Sequence, residues 1–223
     1  MGLNVAKGNM YQWVTHTWNT VKGECPHACS YCFCKRWGKQ PELHFDKREL
    51  KTDLGEGNFI FVGSSCDVFA EAIPHDWIMD TLAKASDSEN NFLFQSKNPE
   101  KMARYKGYFP TDGKSFFCTT IETNRFYDQI MRNSPMPEQR AFYMNEGLRG
   151  LTRYVTIEPV LAFDLVPLVE LIKRCEPVQV NIGADSGRNN LPEPSRNAVL
   201  ELIDDLSLFT RVEKKANLKR IVG

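Results

Sequence analysis

Short runs of β-branched and aromatic residues recur along this chain, each bounded by Gly, Asn, Asp or Pro, and between them apolar residues recur at helical spacing. The runs predict strands over 15–21, 58–65, 91–97, 115–122, 153–160 and 178–185. Helices are expected at 75–86, 99–106, 137–146, 164–175 and 195–208, with a poorly defined one near 46–53. Ile78, Leu82 and Ala85 share one helix face, as do Leu165, Leu168, Val169 and Ile172. Strand and helix alternate throughout. That order favours parallel strands joined by right-handed crossovers, and six units of roughly 35 residues fill the chain. The expected fold is α/β, an incomplete (β/α)6 barrel of the TIM type, forming one domain over 1–223 with a short basic tail from about 208.

The later strands carry a second pattern. Cys118, Thr120 and Glu122 alternate with Phe117, Thr119 and Ile121; Tyr154, Thr156 and Glu158 alternate with Val155 and Ile157; Gln179, Asn181 and Asp185 oppose Val180 and Ile182. Strands buried on both faces read as apolar runs. A polar face shared by three strands instead predicts a lumen that takes a polar ligand.

Composition is that of a globular protein, with 42% hydrophobic and 25% charged residues, and it suggests neither a fibrous repeat nor a disordered chain. The formal net charge is zero, so general attraction to polyanions is not written into the totals. Local patches remain: Lys35, Arg36 and Lys39 surround Trp37, and the segment 211–220 is basic. No apolar run is long enough to span a bilayer and the first residues, MGLNVAKGNMYQW, lack a signal-peptide core, so the expected location is the cytoplasm, with no membrane partner. Seven cysteines, an odd number without regular spacing, argue against a disulfide framework and for a metal site.

Four of the seven fall within CPHACSYCFC at 25–34. The spacing Cys25-x3-Cys29-x2-Cys32 follows the first predicted strand, on the end of a β/α barrel where active sites sit. Three close thiolates suit a soft metal or an iron-sulfur cluster, and three ligands to a four-iron cube leave one iron open. The competing reading is a closed tetrahedral zinc site with Cys34 or His27 as fourth ligand.

CPHACSYC resembles the C-x3-C-x-aromatic-C signature of the radical S-adenosylmethionine (radical SAM) enzymes, with Tyr31 in the aromatic slot. More narrowly, HTWNTVKGECPHACSYC, FVGSSCDVFAEAIPHDWI, FLFQSKNPEKMARY, TTIETN, TIEPVL and NIGADSG, over roughly 10–205, are similar in order to a phage-associated, radical-SAM-like family. The resemblance implies a 4Fe-4S cluster on Cys25, Cys29 and Cys32, S-adenosylmethionine (SAM) as cofactor, Tyr31 beside adenine, an external electron donor, and radical chemistry begun by hydrogen abstraction.

Other roles follow by position in that family's pattern. Ser64, Ser65 and Asp67 stand where a Gly-Gly-Glu-like segment binds the methionine ammonium group, although the usual glutamate is missing. Lys97 would balance the methionine carboxylate or a substrate anion. Glu122, Glu158 and Asp185, at corresponding strand ends, would meet ribose hydroxyls or position substrate. Cys66, like Cys34, lies near the site outside the ligand pattern, and its thiol would donate a hydrogen atom to a product radical. Cys118 and Cys175 are expected to pack as small apolar side chains. A small barrel without its own cap suits a large substrate, a nucleic acid or modified nucleotide first and a peptide or protein second. A zinc or iron-sulfur regulatory module is the alternative from another class.

Overall fold

The structure, a computed structural model, describes residues 3–223. Among the described residues ten strands form: β1 (Asn4–Val5), β2 (His16–Trp18), β3 (Val21–Lys22), β4 (His44–Phe45), β5 (Phe59–Val62), β6 (Asn91–Gln95), β7 (Ser115–Thr120), β8 (Thr152–Ile157), β9 (Gln179–Ile182) and β10 (Arg211–Lys214). The helices are α1 (His75–Ser86), α2 (Pro99–Ala103), α3 (Asp128–Met131), α4 (Pro137–Glu146), α5 (Leu165–Arg174), α6 (Arg196–Ser207) and α7 (Lys219–Val222). Eight strands make one sheet in the order β1-β2-β5-β6-β7-β8-β9-β10. Its neighbours are parallel except β1 against β2. Spatial order follows chain order, so the sheet winds as an incomplete β/α barrel, as expected. Among the described residues no helix is long and apolar enough to cross a membrane.

All six expected strands are present, but most are shorter than their apolar runs. One expectation needs correcting: the chain beyond 208 is not a tail, because Arg211–Lys214 pairs in parallel with β9 as a seventh parallel strand. Its sequence, RVEK, hides the strand. At the sheet edge only Val212 packs against the core while charged neighbours face outward, a common way of keeping an edge from pairing further.

The main core lies between sheet and helices. Ile78, Leu82 and Ala85 of α1 and Leu168, Val169 and Ile172 of α5 are buried there with Phe92, Phe94, Phe117, Val155 and Ile182 from the strands. Local signals set the helix ends: Asn98 caps α2 by accepting from Lys101 N at 3.2 Å, ahead of Pro99, and Ser195 caps α6. A second cluster sits on the concave face, where Tyr11 and Val14 meet Phe61, Leu93 and Cys118, with Trp13 packed on Phe59 at 4.6 Å. The segment 10–14 therefore plugs the end of the lumen nearest the strand amino termini. Cys118 and Cys175 are fully buried, and burial pushes the Cys175 thiol up to about 12, consistent with packing as apolar groups.

The polar faces read from the sequence meet inside. Register places Gln95 beside Cys118, Cys118 beside Tyr154 and Tyr154 beside Gln179, with Thr120, Thr156 and Asn181 in the next layer. The lumen thus turns from aromatic to polar toward the carboxyl ends of the strands.

Candidate functional site at the carboxyl end of the sheet

The cysteine loop is built as two tight turns. Ala28 N donates to Cys25 O at 2.9 Å, Ala28 takes a left-handed φ of 53°, and Cys32 N donates to Cys29 O at 3.3 Å. A 3-10 helix, Phe33–Trp37, follows directly. The segment after β7 clamps the loop from outside: Ser30 N donates to Ile130 O (2.9 Å), Asn133 N to His27 O (3.1 Å) and Asn133 Nδ2 to Pro26 O (3.0 Å). From inside, His27 Nε2 lies 2.8 Å from Asp67 Oδ2. Asp67 also accepts from Phe69 N (2.9 Å), Lys97 N (2.8 Å) and Ser96 Oγ (3.0 Å). Burial works against its charge, but the hydrogen bond from His27 and these amides hold the carboxyl below its usual value. Asp67 is thereby the joint between cysteine loop, β5 and β6.

Beneath the loop opens a cavity of about 650 Å³. Cys25, Cys29 and Cys32 border it together with Tyr31, Ser64, Ser65, Cys66, Asp67, Lys97, Glu158 and Asp185, so the structure gathers all but one of the expected site residues around one cavity. The exception is Glu122, which lies behind Tyr31 and Lys97. It accepts from the Tyr31 hydroxyl, pairs with Arg140 Nη1 at 2.7 Å, and stands 3.9 Å from Lys97 Nζ. Burial raises its carboxyl, yet Arg140 and Lys97 bring it below the ordinary value. Lys97 Nζ also sits 5.3 Å from the centre of the Tyr31 ring.

The other acids differ in how free they are. Glu158 pairs with Lys215 and accepts from Asn9 Nδ2 (2.6 Å) and Asn217 Nδ2 (2.8 Å). Gly183 leaves room for it, since a Cβ there would lie 2.7 Å from Glu158 Oε1. Strand register thus sets Gly183, not Asp185, level with Glu158 and Glu122. Asp185 lies two residues further on and binds its own loop, through Gly187 N (2.8 Å) and Asn189 Nδ2 (2.7 Å). The turn after β5 needs glycine: Gly63 has φ 73°, and a Cβ would meet Val68 Cγ2 at 2.6 Å. Asn19 Oδ1 then fixes that turn, accepting from Ser64 Oγ (3.1 Å) and Ser65 N (3.0 Å).

Cys25 is drawn down to about 6 chiefly by a hydrogen bond from Cys66, Cys32 to about 6 by one from Cys34, and Cys29 lies 3.4 Å from Ser134 Oγ. Each thiol has its own neighbour, and among the described residues no three His, Cys, Asp or Glu side chains converge on one ion. Of the two expected fourth zinc ligands, His27 is directed to Asp67, while Cys34 lies beside Cys32 and also donates to Ser65 O at 3.4 Å. The three thiols bordering one cavity fit a multi-iron cluster, in which each sulfur takes a different iron.

Several partners escaped sequence reasoning: Asn19, His27 as a link to Asp67, Arg140, Lys215, and Asn9 with Asn217. Asn19 had a signal in the WN pair that ends the first strand, whereas Arg140 sits in a helix whose pattern gives no hint that it is fully buried.

No family model matches the chain, and no curated protein sequence matches it. Solved structures do. A cysteine-to-serine mutant of spore photoproduct lyase aligns at a TM-score of 0.60 and 11% identity, over 94% of this chain and 66% of that one. A double mutant of the same lyase, with bound AdoMet and dinucleoside spore photoproduct, aligns at 0.58 and 11% identity, over 92% and 65%. This chain spans just under two thirds of the length of those structures, and at such identities the likeness is one of fold: a partial TIM-type barrel.

Proposed function

We propose that this protein is a radical SAM enzyme that acts on a nucleic acid or modified nucleotide. The observation that carries the reading is the placement of Cys25, Cys29 and Cys32 on a clamped loop after the first parallel strand, all three bordering one cavity. When bound, a 4Fe-4S cluster and SAM supply one-electron cleavage of the sulfonium and hydrogen-atom abstraction from a substrate.

The chain's own residues divide the remaining work. Cys25, Cys29 and Cys32 would hold the cluster. Asp67 has its oxygens taken by four donors, so it holds the loop in place while Ser64 and Ser65 are left to meet the methionine ammonium group. Lys97, held in place by Glu122, is the cation for the carboxylate. Burial works against its charge, but Cys29 and Glu122 keep it protonated. Tyr31 offers its ring to adenine while its hydroxyl is anchored on Glu122. Glu158 faces the cavity with Lys215 as its counter-ion, a pair able to bind ribose or substrate; Asp185 shapes the rim. Cys66 borders the same cavity, where its thiol would donate a hydrogen atom to a product radical. The AdoMet and dinucleoside named with the structural neighbours support the cofactor and the nucleotide class of substrate.

Anaerobic reconstitution tests the reading. About four irons and four sulfides per chain are expected, with Cys29→Ser holding far fewer. One tightly held zinc and no iron would favour the regulatory module instead.

A further inference from the structure

Over the whole chain positive and negative charges cancel, but at the mouth of the cavity they do not. Lys7, Lys35, Arg36 and Lys39 all border it, all are exposed, and among the described residues none is in an ion pair. The carboxylates that border the same cavity are already engaged, Asp67 by His27, Glu158 by Lys215 and Asp185 by its loop. Among the described residues Glu24 alone is free there. Four free cations against one free carboxylate make a local positive field that the totals hide.

The same segment carries an aromatic platform. Trp37 is 67% exposed and packs edge-on against Phe33, with ring centres 5.3 Å apart. The turn beneath it is fastened by Gly38 N donating to Lys35 O (3.2 Å) and Gln40 Nε2 to Cys34 O (3.0 Å). A fixed, exposed indole among unpaired cations is the combination that binds single strands, phosphates on the cations and a base on the ring. It begins one residue after Cys32, so a strand held there passes the cavity that the three thiols face. A base inside a duplex cannot reach such a cavity.

We propose that residues 33–39, with Lys7 at the same mouth, bind a single strand of DNA, its phosphates on Lys35, Arg36 and Lys39 and one base stacked on Trp37, so that a neighbouring nucleotide enters the cavity. This rests on the enzymatic reading above and specifies its substrate class. DNA is the occupant because every contact assigned here, phosphate on cation and base on ring, is met without a 2′-hydroxyl, the group by which a protein selects RNA.

Fluorescence anisotropy of the reconstituted chain with a labelled oligo(dT) of about a dozen nucleotides, titrated across salt, tests it. In Lys35→Gln/Arg36→Gln/Lys39→Gln the slope of log K against log salt falls by about 2, at about 0.7 per phosphate for single strands. Trp37→Ala weakens binding about tenfold and Trp37→Phe restores most of it. Lys173→Gln/Arg174→Gln, in the last turn of α5, leaves binding unchanged. An unaltered slope in the triple variant, unaltered affinity in Trp37→Ala, equally tight binding of polyglutamate, or tighter binding of the matching RNA overturns the proposal. Release of 5′-deoxyadenosine on reduction needs no strand. Its presence without strand binding sinks this surface alone, and strand binding with the expected variant losses but no such release sinks the enzymatic reading alone.

Discussion

Replacing Arg140 with Met tests whether the buried ion pair behind the cavity wall holds the site together. Arg140 and Glu122 are both fully buried. The guanidinium also donates to Thr120 O at 2.9 Å and Pro135 O at 2.7 Å, joining α4 to the end of β7. Met keeps much of the volume but leaves Glu122 facing only Tyr31 and the more distant Lys97. Removing one partner of a buried pair costs about 3–5 kcal/mol, because the other charge stays desolvated. For a chain of this length that is a fall in melting temperature of roughly 6–20 °C. The penalty depends on pH with a definite sign. In the parent Glu122 is depressed, so its contribution is present above the unfolded carboxylate value of about 4.3 and is lost as pH falls through the folded value. In the variant burial is no longer offset and the carboxyl rises, so the difference between the two proteins is largest near pH 8 and shrinks toward pH 4. Urea unfolding of both proteins at the two pH values measures it. A loss below about 1 kcal/mol at pH 8, or a loss independent of pH, would refute the reasoning; Arg140→Met/Glu122→Gln, which removes the stranded charge, should recover part of the stability.

Gly63→Ala places a Cβ 2.6 Å from Val68 Cγ2 at a left-handed backbone position, and a loss of about 1–3 kcal/mol in urea unfolding is expected. Asp67→Ala removes the acceptor shared by His27, Ser96 and two backbone amides; the cysteine loop loosens, and iron retained after reconstitution and desalting falls to less than about half that of the parent. Glu158→Gln keeps the hydrogen bonds from Asn9 and Asn217 but weakens the attachment of Lys215, which lies 4.4 Å from the Tyr11 ring centre. Faster hydrogen exchange in β10 with unchanged exchange in β6 is the expected readout.

The barrel was legible because its inner strands obey simple patterning. NFLFQ, SFFCTT and TRYVTI are strongly β-forming and flanked by turn residues, and α1 and α5 present clean apolar stripes. β10 was not legible because an edge strand needs only one buried side chain, and RVEK reads as a charged tail. The plug at 10–14 was not legible either, since its aromatic residues show no period and are ordered by the lumen they fill. In the site, the thiols were legible through spacing. The polar strand faces were legible through alternation, although strand ends alone gave no basis for placing Asp185 two residues beyond Glu158. The role of Asp67 went unread because a carboxylate that joins three segments looks the same in sequence as one that binds a ligand. Glu122 shows the same limit: its partner Arg140 lies 18 residues away on a helix, and only packing brings them together.

The central claim is that three thiols on one loop equip this barrel to cleave SAM. It is tested most directly by reducing the anaerobically reconstituted protein with dithionite in the presence of SAM and quantifying 5′-deoxyadenosine and methionine. The account predicts formation of both by the parent protein and their loss in Cys25→Ser, Cys29→Ser and Cys32→Ser, with Cys118→Ser and Cys175→Ser retaining them. A parent protein that binds four irons yet leaves SAM intact on reduction, or one that forms 5′-deoxyadenosine equally well without Cys29, would contradict it.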